Sequence, residues 1–107
     1  MIIAIDYDDT FTANPALWRN FITDAQQIWG YTVVCVTGRS DEGQWGKEVK
    51  EALDGLVPIV FAGQQWKREA AEKAGYKVNI WIDDHPEYIA KQNILLAEQK
   101  CGVEESK

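Results

Sequence analysis

Histidine is nearly absent from this chain of 107 residues: His85 is the single one, and the two cysteines, Cys35 and Cys101, form no CxxC pair. A zinc site built on Cys and His therefore has no donor set. Such cysteine usage points to a reduced, intracellular protein. Cys35 lies in an apolar run and reads as a small buried hydrophobe, whereas Cys101 falls in the tail. No apolar stretch reaches the roughly 18 residues of a membrane-spanning helix. The opening MIIAIDYDD places acids where a secretory signal needs positive charge and then a long apolar run, so a cytoplasmic protein is expected. A basic excess is missing as well, the net charge being −6. Proteins that wrap nucleic acid neutralise its phosphates with a basic face. The charge argues against such wrapping, but not against an enzyme that touches one end of a strand. Clustered carboxylates also call for a cation.

What is present is the composition of a soluble globular domain, 46% hydrophobic and 26% charged. The length suits one domain, here residues 1–100 with a tail over 101–107. There is no internal repeat, low-complexity stretch or linker. Strand-like and helix-like segments alternate. Residues 2–7 are short, β-branched and apolar, and end in an acid cluster. From Pro15 to Trp29, Leu17, Phe21, Ala25 and Ile28 recur at helical intervals behind Asn14 as a cap, with Gly30 as the stop. Residues 31–37 (YTVVCVT) read as a strand buried on both faces. Ser40 or Asp41 can cap a second helix carrying Trp45, Val49 and Leu53, closed by Gly55. A third strand is expected over 56–61, a third helix over 65–74 and a fourth strand, VNIWI, over 78–82. Pro86 opens a last helix, and residues 93–97 read either as its continuation or as a short fifth strand. This order predicts right-handed βαβ units and a three-layer α/β/α sandwich around a parallel, Rossmann-like sheet of four strands, five with residues 93–97.

Ligands of such sheets bind beyond the carboxyl ends of the strands, near a topological switch point. The residues there are Asp6, Asp8, Asp9 and Thr10 after the first strand and Thr37, Gly38 and Arg39 after the second. Lys67 enters the third helix, and Asp83, Asp84 and His85 follow the fourth strand.

The order Asp-x-Asp-x-Thr, strand-Thr-Gly, Lys, strand-Asp-Asp resembles the haloacid dehalogenase-like phosphohydrolases, over roughly residues 2–84. It is closest to very small, phage-type members without a cap domain. The resemblance implies Asp6 as a nucleophile that carries an aspartyl-phosphate, and Asp8 as the group that protonates the leaving group and then activates water. It implies Mg²⁺ held by Asp6, by the main-chain carbonyl of Asp8 and by Asp83, with Asp84 in support. Thr37 and the Gly38 amide would take phosphoryl oxygens, Lys67 would neutralise charge, and Thr10 would brace the loop near Asp8.

Elementary chemistry runs the same way. A carboxylate attacking an anionic phosphate needs its charge offset, and a hard, oxygen-loving cation does this. Phosphoryl transfer is chiefly positioning and electrostatics, so Mg²⁺, a lysine and amides suffice. Alternation along a strand end puts Asp6 and Asp8 on one side, with Tyr7 opposite.

Plainer readings compete. Aspartates after a strand often only form turns, Thr37 can be a turn hydroxyl, and Lys67 can be a solvated lysine like Lys73 or Lys77. Arg39 either touches substrate phosphate or crosses to a neighbouring acid. His85 reads as structural, pairing with Asp84. Most tryptophans read as core, with Trp45 and Trp66 candidates for stacking on a nucleobase. A phospho-accepting receiver domain needs an aspartate after the third strand, where Ala62 and Gly63 stand. A non-enzymatic cation-binding remnant leaves the full set of acids, Thr37 and lysine unexplained. The segments 10–31 and 39–56 are too short to hold a cap, so an open site with a solvent-reachable Asp6 is expected, or one covered by assembly. The expected substrate is a phosphorylated one, a nucleotide or a nucleic-acid phosphate end first and a small metabolite second, with no membrane partner.

Overall fold

The computed structural model describes residues 1–91, so residues 93–97, Cys101 and the tail over 101–107 lie outside the described residues. Four strands, β1 (Ile2–Ile5), β2 (Thr32–Thr37), β3 (Ile59–Phe61) and β4 (Ile80–Ile82), form one parallel sheet in the order β3-β2-β1-β4. Ile5 pairs with Cys35 on one side and with Ile82 on the other. The helices are α1 (Pro15–Gln27), α2 (Gly43–Ala52) and α3 (Lys67–Lys73).

Strand alternation sorts the core into two halves. Ile3, Ile5, Val33 and Cys35 point to one face, where Ile22 and Ala25 of α1 and Val49 of α2 pack, with Leu53 just beyond. Ala4, Val34, Val36 and Val60 point to the other, beneath Ala70 and Ala71 of α3. Small residues on that second face let α3 approach closely. The result is the expected three-layer sandwich. Each fully buried side chain, such as Ile5 or Ile22, contributes about 1.5–3 kcal/mol relative to exposure.

Local chemistry moved several boundaries. Asn14 caps α1 as expected, its Oδ1 accepting from the Leu17 N–H at 3.2 Å. The buried face of α1, however, runs through Trp18, Phe21, Ile22 and Ala25, while Leu17 and Ile28 are exposed. Trp29 is also exposed, in a surface cluster with Phe21 and Tyr31, rather than in the core. Helix α2 starts behind Glu42 and is not capped by Ser40 or Asp41. Their backbone runs beside the helix instead, so close that a Cβ on Gly46 would sit 3.0 Å from the Asp41 Cα. Strand β3 begins only after Pro58, which has no N–H to give, although its carbonyl accepts from Cys35 at 2.9 Å. Strand β4 is shortened because the Asn79 side chain takes the Ile2 N–H at 2.8 Å, replacing a ladder bond. Helix α3 starts at Lys67, two residues later than expected, with Trp66 before it. The helix expected at Pro86 is a single 3₁₀ turn, Pro86–Tyr88.

Between β1 and β4 the chain order of the sheet reverses. This is the switch point, and the acids after β1 and β4 meet beyond it.

Candidate functional site

Strand β1 hands over to the site without a break, because the Asp6 N–H still donates to the Ile82 carbonyl of β4 at 2.9 Å. Residues Tyr7–Phe11 then make one wide turn, with the N–H groups of Phe11 and Thr12 reaching back to the carbonyls of Asp6 and Tyr7. Such π-type turns concentrate at functional sites. Tyr7 and Phe11 are buried and stacked with ring centres 6.0 Å apart, which anchors the turn. Asp8 between them is extended, and Asp9 is left-handed at φ 60°. Aspartate tolerates that region better than most residues, and the Asp9 N–H is taken up by the Thr12 hydroxyl at 2.9 Å.

Below the turn lies a buried ionic cluster. The Lys67 ammonium donates to Asp6 Oδ1 at 2.9 Å and to Asp83 Oδ2 at 2.6 Å. Its position in the first turn of α3 points the side chain at the strand edge, and only 6% of it is exposed. Lys73, by contrast, is exposed and faces Glu69. The Thr10 hydroxyl sits 3.4 Å from Asp6 Oδ2 and 3.2 Å from Asp84 Oδ1, so Thr10 braces these two acids rather than Asp8. Carboxylate oxygens of Asp6, Asp83 and Asp84 all lie within 4.8 Å of one another. Three carboxylates thus face one ammonium. Burial pushes the Asp6 carboxyl up to about 6, with Lys67 pulling against it. Burial also opposes the charge on Lys67, but its bonds to Asp83 and Asp6 prevail and hold it above the usual lysine value. Asp84 is lowered, first by its hydrogen bond with Asp6. A compact set of hard oxygen donors with surplus negative charge suits a divalent cation such as Mg²⁺.

Asp8 belongs to a different group. Arg39 grips its carboxylate with both sides of the guanidinium, at 2.9 and 2.7 Å, and also bonds the Trp45 carbonyl at 2.9 Å and Glu48 at 2.8 Å. The guanidinium lies between the rings of Tyr7 and Trp45, 5.1 and 4.7 Å from their centres. Arg39 therefore crosses to an acid and ties the first loop to α2. The Asp8 carboxylate is outside the triad of acids.

Asp6, Asp8, Gly38, Arg39, Lys67 and Asp84 line one pocket of about 620 Å³ at the carboxyl ends of the strands. Thr37 is not brought to its wall. That side chain is fully buried, and its hydroxyl accepts from the Arg39 N–H at 3.2 Å. It shapes the turn that presents Gly38, where a Cβ would lie 4.0 Å from Lys67 Cε. The Asp6 side chain is only 7% exposed, less open than expected. Its own partners cover it, for among the described residues the connections after β1 and β2 carry nothing beyond the wide turn, α1 and α2. His85 donates its N–H to Asp83 Oδ1 at 2.8 Å, and its ring lies 3.0 Å from Glu87 and 3.5 Å from Asp84. Glu48, Gln64, Gln65 and Tyr88 were not singled out by sequence reasoning. Glu48 bonds Arg39, and the other three line the pocket. No motif marks them; only the fold brings them there.

Among the described residues no helix is long and apolar enough to cross a membrane. No protein-family model, curated protein or solved structure matches the chain.

Proposed function

We propose that the chain is a magnesium-dependent phosphomonoester hydrolase of the haloacid dehalogenase-like type, acting on a nucleotide or a nucleic-acid phosphate end. The observation that carries this reading is the meeting of Asp6, Asp83 and Asp84 around buried Lys67 at the switch point. Asp6, Asp83 and Asp84 would hold Mg²⁺, with the Asp8 main-chain carbonyl as a further oxygen donor. Bound there, the ion would supply charge neutralisation for an anionic nucleophile and an anionic phosphate.

The chain's own residues do the rest. Lys67 holds the Asp6 carboxylate in place and offers its ammonium to the phosphoryl oxygens. Gly38 presents its main chain to the same oxygens. A carboxylate oxygen of Asp6 attacks phosphorus, the ester P–O bond breaks, and the leaving alkoxide takes a proton from Asp8. Asp8 then accepts a proton from the water that attacks the aspartyl-phosphate, which releases inorganic phosphate and restores Asp6. For either proton transfer the Asp8–Arg39 pair must open, since a carboxylate held by a guanidinium on both oxygens is not free to carry a proton. A reduced, cytoplasmic setting suits this reading, with Cys35 a free and buried thiol.

The test is hydrolysis of an aryl phosphate with Mg²⁺, and with chelator. Activity is expected to need the ion and to leave a phosphorylated Asp6 that can be trapped at low pH. Full turnover in chelator, or phosphate appearing on another residue, would sink the proposal. Binding of Mg²⁺ and phosphate without turnover would leave a non-enzymatic cation- and phosphate-binding protein.

A further inference from the structure

The floor of the pocket is ionic, but its mouth is aromatic. Trp45, Trp66 and Tyr88 line it from the segments after β2, β3 and β4, with exposures of 67%, 39% and 57%. Large rings exposed to water on three separate segments around one cavity form an apolar surface at its mouth. Two of them adjoin residues of the ionic floor. Trp66 immediately precedes Lys67 in the chain, and both line the same pocket. Trp45 has one ring face on the Arg39 guanidinium and its carbonyl bonded to the same group, which fixes the ring. Exposed Gln64 and Gln65 add neutral amide donors and acceptors to the wall.

We infer that the substrate is a free nucleoside monophosphate whose base stacks on Trp45 and Trp66; this rests on the phosphohydrolase reading for its phosphate end. Stacking accepts any base, because every base has a π face, and the amides suit base edges. The volume of about 620 Å³ falls in the range of roughly 300–1,000 Å³ that receives small ligands. Charge decides against a strand. A strand needs cations along the groove for its further phosphates. Here Arg39 is engaged by Asp8 and Glu48, Lys67 by Asp6 and Asp83, and His85 by Glu87 and Asp84. Asp8, Asp9 and Asp84 line the same wall. One phosphate is provided for, and a second would meet carboxylates.

Calorimetric titration of the whole protein with Mg²⁺ tests this, using adenosine 5′-monophosphate, ribose 5-phosphate and a short single-stranded DNA with a terminal phosphate. The nucleotide is expected to bind at least about tenfold more tightly than the sugar phosphate, the scale of one stacked base. Trp66→Ala and Trp45→Ala should erase that ratio, and Trp66→Phe, which keeps a ring, should restore part of it. Equal binding of nucleotide and sugar phosphate overturns the inference, as does DNA binding more tightly than the nucleotide. Base-selective binding without turnover keeps this inference and sinks the hydrolase. Turnover of sugar phosphate without base selectivity does the reverse.

Discussion

Asp6 and Asp8 are separated by one residue and live in opposite surroundings. The Asp6 side chain is 7% exposed, bonded to a buried lysine and within reach of two further acids. The Asp8 side chain is 46% exposed and held by an arginine that is itself fixed by two rings, a carbonyl and Glu48. Position in the chain makes the two carboxylates alike, and environment separates them. The buried one has the surplus negative charge that a cation relieves, and burial first, then Asp84 and Asp83, raise its carboxyl against the pull of Lys67. The exposed one meets a guanidinium that it shares with Glu48, and solvent reaches both carboxylates. On the proposed chemistry this is a division between a fixed nucleophile and a proton carrier that must be able to let go of its partner.

The largest effect should come from exchanging each carboxylate for an amide. Asp6→Asn is expected to remove the covalent intermediate and to lower turnover on the order of 10⁴–10⁶-fold, the scale of a deleted nucleophile. Asp8→Asn should cost about 10²–10⁴-fold, as for a lost acid–base group. It should also hurt an alkyl phosphate more than an aryl phosphate, whose leaving group needs little protonation. Rates on both substrates for both variants decide. Equal losses with no leaving-group dependence would erase the distinction between the two aspartates.

Lys67→Ala comes next. It strips the counter-charge from buried Asp6 and Asp83, and breaking a buried ion pair from one side typically costs about 3–5 kcal/mol. Lys73→Ala, on the surface, should stay within about 0.5 kcal/mol. Chemical denaturation with chelator present measures both. A mild Lys67→Ala would mean that the cluster is less sealed than its geometry indicates. Metal addition should give a smaller shift, about 2.7 kcal/mol of stabilisation when Mg²⁺ is a hundredfold above its Kd. Asp8→Asn should keep that gain, and Asp84→Asn should lose most of it. Loss of the gain in Asp8→Asn alone would place the ion at the wrong aspartate.

The buried half of this comparison was legible in the sequence, and the exposed half was not. Strand patterning around residues 2–7 and 78–82 brought Asp6, Asp83 and Asp84 to adjacent strand ends, because parallel βαβ geometry leaves few other arrangements. Lys67 could be singled out because it is the lysine that opens a helix just after a strand. The Arg39–Asp8–Glu48 group is a set of long-range pairings, and nothing in local spacing says which acid an arginine will choose. Thr37 looked like a ligand-facing hydroxyl because it ends a strand, but alternation and the following turn direct it inward. On α1 the apolar positions allow two overlapping faces that share Phe21 and Ala25, and only packing against β1 and β2 chooses Ile22 over Leu17 and Ile28. The short helix at Pro86 reflects a weak signal, a proline start with no clear apolar period behind it.

The finest test of the comparison is Arg39→Lys. Lysine keeps the positive charge but has one point donor in place of a planar fork. It cannot grip both oxygens of Asp8 while also bonding the Trp45 carbonyl and Glu48, and it stacks less well between Tyr7 and Trp45. The stability cost is expected to be about 1 kcal/mol, the upper part of what half-exposed pairs with good geometry contribute. Turnover should fall less than about tenfold, because Asp8 is loosened but still present. Salt then separates the two regions. Around Asp8 the carboxylates of Asp8 and Glu48 are about half exposed, although Arg39 itself is largely covered, and at roughly 1 M salt the screening length is about 3 Å. Raising salt should therefore narrow the stability gap between wild type and Arg39→Lys. The gap for Lys67→Ala should persist, since buried pairs are screened much less. Thermal unfolding of the three proteins at low and high salt reads this directly. A salt-insensitive Arg39→Lys gap would show that the Asp8 pair is as sealed as the Asp6 cluster, and the contrast between the two aspartates would then have to rest on their partners alone.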